Sequence, residues 1–332
     1  MNPYDVIVVG GGPTGLACAI EAKRHGLTHL VLEKGCVVNS ILHYPVNMIF
    51  FTTPELLEIG DIPLVSQRDK PTRQEALKYY RLVAQHFQLE IHQYEVVEKI
   101  QGEDGRFEVL TRTPYGGEGR YSAKKVVLAT GYYDLPNRLG VPGEDLPKVS
   151  HYYSEAHPYF NCDVAVIGGA NSAAEAALDL YRNGARVTLI HRQPTLSHRI
   201  KYWVRPDIDN RIKNGEIKAL FEMGVVEVRP DSILVVSANG SGKTVETLRN
   251  DFVFALIGYR PDAEFLQRAG VRIGPKRMRP ESDPKTLESN VPGLYLAGVI
   301  IAGLDSHEIF IENGRFHGKL VIADIAAKLG HT

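Results

Sequence analysis

Two stretches of the chain share one hydrophobic pattern. Residues 6 to 22, VIVVGGGPTGLACAIEA, and residues 164 to 180, VAVIGGANSAAEAALDL, each run from an unbroken apolar segment through a glycine turn into small and apolar residues at helical spacing. The pattern predicts a buried strand from Val6 to Val9 and a helix from Leu16 to Arg24, with the same pair repeated after Val164. A further apolar strand follows each unit, at His29 to Leu32 and at Arg186 to Ile190. Such alternation predicts an α/β chain of two three-layer units with parallel sheets. Residues 70 to 87 have helical spacing, with Thr72 as cap and Leu77, Tyr80 and Val83 inward. Residues 125–136 and 252–262 read as strands ending in Gly and a Pro turn, and residues 286–300 as a turn, a strand and a glycine. A helix-like stretch follows at 309–329, and His307-Glu308 is expected to open it.

The first turn carries chemistry. Gly10, Gly12 and Gly15 meet the full GxGxxG spacing: a tight turn, close backbone approach to a pyrophosphate, and helix packed on strand. Glu33, at the end of the next strand, stands where a carboxylate accepts hydrogen bonds from an adenosine ribose. A bound dinucleotide is expected. The second turn reads Gly168, Ala170 and Ala173, a looser version, and its following strand ends in His191 and Arg192 instead of an acid. A carboxylate there repels a 2′-phosphate, whereas an imidazole and a guanidinium attract it, so this copy reads as an NADPH site with Arg199 and Lys201 completing a cationic pocket. Two dinucleotides imply an internal redox relay.

Composition narrows the class without naming the chemistry. The 332 residues allow two sizeable cores, and 44% hydrophobic with 23% charged is ordinary for a globular chain. A net charge of -1 gives no reason to expect a nucleic acid or an anionic membrane. No apolar run approaches a membrane span, and the early first strand leaves no room for a signal peptide, so the cytoplasm is the expected compartment. GSGKT at 240–244 is half a P-loop at most, because Ser237 stands where the first glycine belongs; it reads as a hairpin turn. His307-Glu308 is no metal motif, since Ile311 stands where HExxH needs its second His.

The strings GGGPTG, KPTRQEALKYYR, LGVPGEDLPKVSHYY, VIGGANSAAEAAL, KYWVRPDI, GYRPD, LAGVI and IFIENGRFHG run the length of the chain. On them the chain resembles the thioredoxin reductase-like flavoproteins and, within them, the YpdA-type family of bacillithiol disulfide reductases. The resemblance implies an FAD domain at 1–137 and 261–332, interrupted by an NADPH domain at 138–260, in a homodimer that reduces the disulfide of a small thiol. It places FAD against Gly10, Gly12, Pro13, Thr14, Gly15, Glu33 and Lys34, against Asn47, Met48 and Thr52 of the loop 43–55, and against Thr130, Gly131, Gly298, Val299 and Ile300. In that loop Phe50 and Phe51 are large enough to serve as anchors. NADPH is placed against Gly168, Gly169, Ala170, Asn171, Ser172, Ala173, His191, Arg192, Arg199 and Lys201.

The cysteines depart from the familiar relatives. The stretch 151–169 before the second turn lacks the CxxC pair of thioredoxin reductases, and its Cys162 reads as packing. Familiar YpdA-type members carry a cysteine inside the first glycine turn, where the helix N-terminus favours a thiolate; this chain has Thr14. Cys18, one turn on, is a weak candidate for catalysis, as are His307 and Glu308 at a helix N-terminus facing the flavin, while a Cys18–Cys36 bridge stays open. The electron acceptor is expected to be a small disulfide or, alternatively, a redox carrier such as ferredoxin or flavodoxin. A nucleotide-sensing module without turnover is the remaining alternative.

Overall fold

The computed structural model describes residues 3–237 and 245–331. The chain divides into two compact units, one of Met1–Leu42, Met48–Leu135 and Arg260–Thr332, the other of His43–Asn47 and Pro136–Tyr259.

The first unit opens with β1 (Tyr4–Val9), α1 (Pro13–Arg24) and β2 (His29–Glu33). The helix starts at Pro13, ahead of the expected Leu16, because Gly12 is its N-cap and Pro13 suits the first helical position. Next come α2 (Asn39–Leu42), α3 (Arg73–His86), β3 (Ile91–Gln93), β4 (Val96–Glu103), β5 (Arg106–Arg112) and β6 (Glu118–Leu128). Thr72 caps α3 as expected, in a box with Glu75. Its buried face is Ala76, Tyr79, Tyr80 and Val83; Leu77 is only half-buried.

The strands β3, β2, β1 and β6 run parallel in that order, and β6 continues antiparallel to β5, which pairs with β4. Alternation along β1 fixes the layers. Val6 and Val8 pack with Cys18, Ala19 and Ala22 of α1, while Ile7 and Val9 face Val97, Ile100, Phe107 and Val109.

In the second unit, β7 (Val149–Ser150), β8 (Asp163–Ile167), α4 (Asn171–Arg182), β9 (Arg186–His191), α5 (Arg205–Lys213) and β10 (Lys218–Phe221) precede an antiparallel trio. The trio is β11 (Met223–Val228), β12 (Ser232–Ser237) and β13 (Val245–Arg249). Then β14 (Phe252–Ala255) completes a parallel sheet ordered β10-β9-β8-β14-β7. The expected turn at 240–244 lies outside the described residues; its flanks pair antiparallel, Val236 opposite Val245.

The chain then returns to the first unit with α6 (Ala263–Arg268), β15 (Leu294–Leu296), a 3-10 turn at Gly298–Ala302, α7 (Ile311–Gly314) and α8 (His317–Leu329). β15 joins the sheet parallel to the end of β6. The stretch expected as one helix is broken, since Asn313 and Gly314 favour a helix weakly and the Asn313 amide ties down Glu308 and Phe310 instead. His307 and Glu308 therefore stand in a loop and open no helix.

Candidate functional site

Geometry gives each glycine of the first turn its own task. Gly10 sits at φ +109°, and a Cβ there would lie 2.4 Å from the Ala129 carbonyl oxygen. A Cβ on Gly15 would lie 1.9 Å from the Gly10 oxygen, so α1 approaches β1 only through glycine. Gly12 differs: a Cβ there meets no protein atom within 4 Å. That open backbone at the N-terminus of a twelve-residue helix is the cradle a pyrophosphate needs, and the residues present fit the group.

Glu33 is buried, and its carboxylate accepts from the Gly11 N–H at 2.6 Å and the Gly35 N–H at 2.7 Å. Burial raises its pKa, and the two amides pull it back. The side chain expected to hold a ribose thus also closes the glycine turn. Beside it Lys34 pairs with Asp134 at 2.8 Å, tying the end of β2 to the segment after β6 that contains Thr130 and Gly131.

Thr14 meets the end of the chain. A Cβ on Gly298 would lie 3.2 Å from the Thr14 hydroxyl, and one on Gly314 would lie 3.3 Å from it. Gly298, at the start of the 3-10 turn that carries Val299 and Ile300, is thereby brought to the first glycine turn. Gly298 itself donates its N–H to His317 Nδ1 at 3.0 Å. Sequence reasoning missed His317 and Gly314, whose only signal was a place in the GRFHG string.

The loop 43–55 splits. His43–Asn47 clusters with the second unit, where Val46 donates to the Ser154 carbonyl at 3.0 Å. Asn47 is exposed, while Met48 is half-buried and Thr52 buried in the first unit. Phe50 is a buried anchor, but Phe51 is 54% exposed, with the Lys70 ammonium over its ring, so it is no core anchor. Arg73 was unforeseen: buried, it donates from its side chain to Ile41 and Leu42 carbonyls and from its backbone to that of Met48.

Cys18 lacks the surroundings of a reactive thiol. Cys18 is fully buried against β1 and α8, and desolvation pushes its thiol up to about 12, so it supplies no thiolate. Cys36 is half-buried and also raised by burial, and all three cysteines are free, so no Cys18–Cys36 bridge forms. Cys162 packs against the core of the second unit. Asp305, His307 and Glu308 offer ligand atoms within 4.8 Å of one another, but Arg277 and Arg279 hold Asp305, and Arg279 holds Glu308. Those guanidinium groups keep the Asp305 carboxyl far below its ordinary pKa and leave no anionic cage for a cation.

At the second turn Gly168 has φ +146°, and Gly169 lies against the His191 ring, which a Cβ would strike at 2.3 Å. Burial, helped by Arg192, lowers the His191 pKa, so the ring is a neutral partner of the turn. Ser197 donates to the Gly169 carbonyl at 2.8 Å, and the Asn171 amide bridges the Arg199 carbonyl and the Lys201 N–H. These bonds strap the basic loop over the N-terminus of α4, with Arg192 and Arg199 exposed. Ala170 and Ser172 are exposed there too, and Ala173 is buried. Lys201 does not complete the pocket: its side chain is buried, with Nζ 2.7 Å from Glu175.

The family model for pyridine nucleotide-disulphide oxidoreductases matches residues 7–298. The bacilliredoxin reductase Bdr of Bacillus subtilis is 44% identical over 98% of both chains. Among solved structures, the bacillithiol disulfide reductase Bdr (YpdA) of Bacillus cereus superimposes with a TM-score of 0.95 at 43% identity, covering 98% of this chain and all of the other. Its counterpart from Staphylococcus aureus gives 0.93 at 42%, covering 99% of each chain.

Proposed function

The chain belongs to the pyridine nucleotide-disulphide oxidoreductase family, and from that premise we propose that it reduces the disulfide of a low-molecular-weight thiol of the bacillithiol type. It is an NADPH-dependent flavoprotein oxidoreductase, with FAD and NADPH as its cofactors. FAD, when bound, supplies the two-electron exchange between a nicotinamide and a disulfide.

The protein's own part is binding and positioning. We assign FAD to the turn Gly10–Gly15 with Pro13 and Thr14, to Glu33 and Lys34, to Met48 and Thr52, and to Thr130, Gly131, Gly298, Val299 and Ile300. Asn47, which clusters with the second unit, is left out of that assignment. NADPH is assigned to Gly168–Ala173, with His191 as a neutral contact and Arg192 and Arg199 as the cations for the 2′-phosphate. Lys201 acts at one remove, fixing the loop through Glu175.

One observation carries the choice of substrate route. The position that would hold a reactive thiol at the first turn is Thr14, and the nearest cysteine in sequence, Cys18, is sealed in the core. No protein dithiol precedes the second turn either. A small disulfide that reaches the reduced cofactor directly needs neither. The substrate named for the relatives from Bacillus cereus and Staphylococcus aureus fits this route, and the protein partner named for the Bacillus subtilis relative, a bacilliredoxin, is the other disulfide to try.

The deciding experiment is anaerobic reduction of the holoenzyme with NADPH, then rapid mixing with bacillithiol disulfide, oxidised bacilliredoxin, or ferredoxin and flavodoxin, following flavin reoxidation. Fast reoxidation by bacillithiol disulfide is the expected result. Reoxidation by ferredoxin or flavodoxin alone makes the chain an electron transferase. Assembly as a homodimer is proposed with the same reading, and sedimentation of the holoenzyme tests it.

A further inference from the structure

We propose that His317 is the residue that positions the Gly298–Ala302 turn for FAD, and that it does so as a neutral imidazole accepting a hydrogen bond at Nδ1. The proposal deepens the assignment above and rests on FAD lying against Gly298, Val299 and Ile300.

The observation is a change of partner at the end of a strand. Ala297 still makes a sheet bond, donating to the Leu128 carbonyl at 2.8 Å. One residue later the chain turns out of the sheet at Gly298, φ +80°, and the next amide goes to the His317 ring at 3.0 Å. A buried amide at such a departure needs an acceptor, and a side chain supplies it here. The bond fixes the direction in which the chain enters the 3-10 turn, and therefore where the Val299 and Ile300 amides stand.

The bond also fixes the state of the ring. Nδ1 can accept only with its lone pair free, which puts the proton on Nε2. Burial lowers the His317 pKa, and the ring opens the thirteen-residue helix α8, whose positive end disfavours an imidazolium. Nor can the ring drift away. A Cβ on the adjacent Gly318 would lie 2.7 Å from the Ala17 carbonyl carbon, so α8 is held hard against α1, the helix that follows the first glycine turn. His317 thus joins the end of β15, through Gly298, to the start of α8, and Gly298 in turn lies against Thr14. Acting through the Gly298 amide, it is a positioning residue.

The test compares FAD dissociation constants of the wild-type holoenzyme, His317→Leu and His317→Asn, by flavin fluorescence and visible circular dichroism. Asn offers Oδ1 close to where Nδ1 stands. Loss of the acceptor in His317→Leu weakens FAD by about tenfold, the order of one unmade buried hydrogen bond, and His317→Asn restores most of it. Equal weakening in both variants overturns the proposal, because packing of the ring would then be the cause. A second measurement holds even where His317→Leu folds poorly: in the spectrum of 15N-labelled imidazoles, the signal lost in His317→Asn belongs to a ring protonated at Nε2 only. A ring protonated at Nδ1 sinks the proposal outright. The expected tautomer combined with unchanged FAD binding in His317→Leu places the fault in the assignment of FAD to this turn.

Discussion

Gly12 has room for a methyl group that the protein's own packing never uses. Its backbone is extended at φ −75°, and a Cβ meets nothing within 4 Å, so the folded apoprotein tolerates alanine. The open space is the pyrophosphate's. Gly12→Ala is expected to leave apoprotein stability within about 0.5 kcal/mol in urea titration. FAD uptake, followed by absorbance, falls by more than about tenfold because the methyl stands where the phosphates pass. Gly15→Ala behaves oppositely, since its methyl would lie 1.9 Å from the Gly10 oxygen; it destabilises the apoprotein by about 1–3 kcal/mol or more. If both variants lose stability alike, the division of labour within the turn is wrong. The cysteines differ just as sharply at this scale. A thiol-specific reagent at neutral pH should modify Cys36 and Cys162 in the native protein and spare Cys18 until unfolding, because burial holds the Cys18 thiol near 12.

Single elements show how far the sequence could be read. Both glycine turns, the strands beside them and the cap at Thr72 were legible because each depends on neighbours within a few residues. Lys201 was misplaced for a physical reason: its charge is answered by Glu175 on α4, 26 residues away, a pairing that only the packed loop creates. The Gly298–His317 bond and the inward turn of Glu33 onto Gly11 were hidden in the same way. The basic loop converts this distinction into an expectation. Arg192→Ala and Arg199→Ala should each raise KM for NADPH by about five- to tenfold with little effect on NADH, as loss of a charge-assisted phosphate contact does. Lys201→Ala instead lowers stability, by about 1–3 kcal/mol for the loss of a buried lysine and its ion pair with the half-buried Glu175, and disturbs both nucleotides equally. A selective NADPH defect in Lys201→Ala would return that lysine to the pocket. Arg73 raises the same question for the loop after α2. Its guanidinium holds the Leu42 carbonyl and its backbone the Met48 carbonyl, so one residue clasps both feet of the excursion His43–Asn47. Lys cannot reproduce the fork, and Arg73→Lys is expected to weaken the first unit by about 1–3 kcal/mol in chemical denaturation.

Taken as a whole, the chain pairs two nucleotide turns with three free cysteines, none of them inside either turn, and that combination sets the most exacting expectation. A disulfide reductase that works through a protein cysteine needs a thiol that is exposed, near neutral in pKa and beside the cofactor turn. Cys18 is near the turn but sealed and raised. Cys36 follows Glu33, whose negative charge adds to burial in raising its thiol. Cys162 lies in the second unit, packed against the core beside the start of β8. The variant Cys18→Ala, Cys36→Ser, Cys162→Ser should therefore reduce a low-molecular-weight disulfide with NADPH at a rate within about threefold of the wild type. The expected cost is in stability, since a buried Cys replaced by Ala leaves a small void worth about 1 kcal/mol. Far-UV circular dichroism and FAD content separate that cost from a chemical one. A folded, FAD-replete variant that has lost disulfide turnover but still passes electrons to an artificial acceptor would mean that a cysteine moves into reach during catalysis. Full turnover means that electrons reach the disulfide without a protein thiol, so that the reduced cofactor itself meets the substrate.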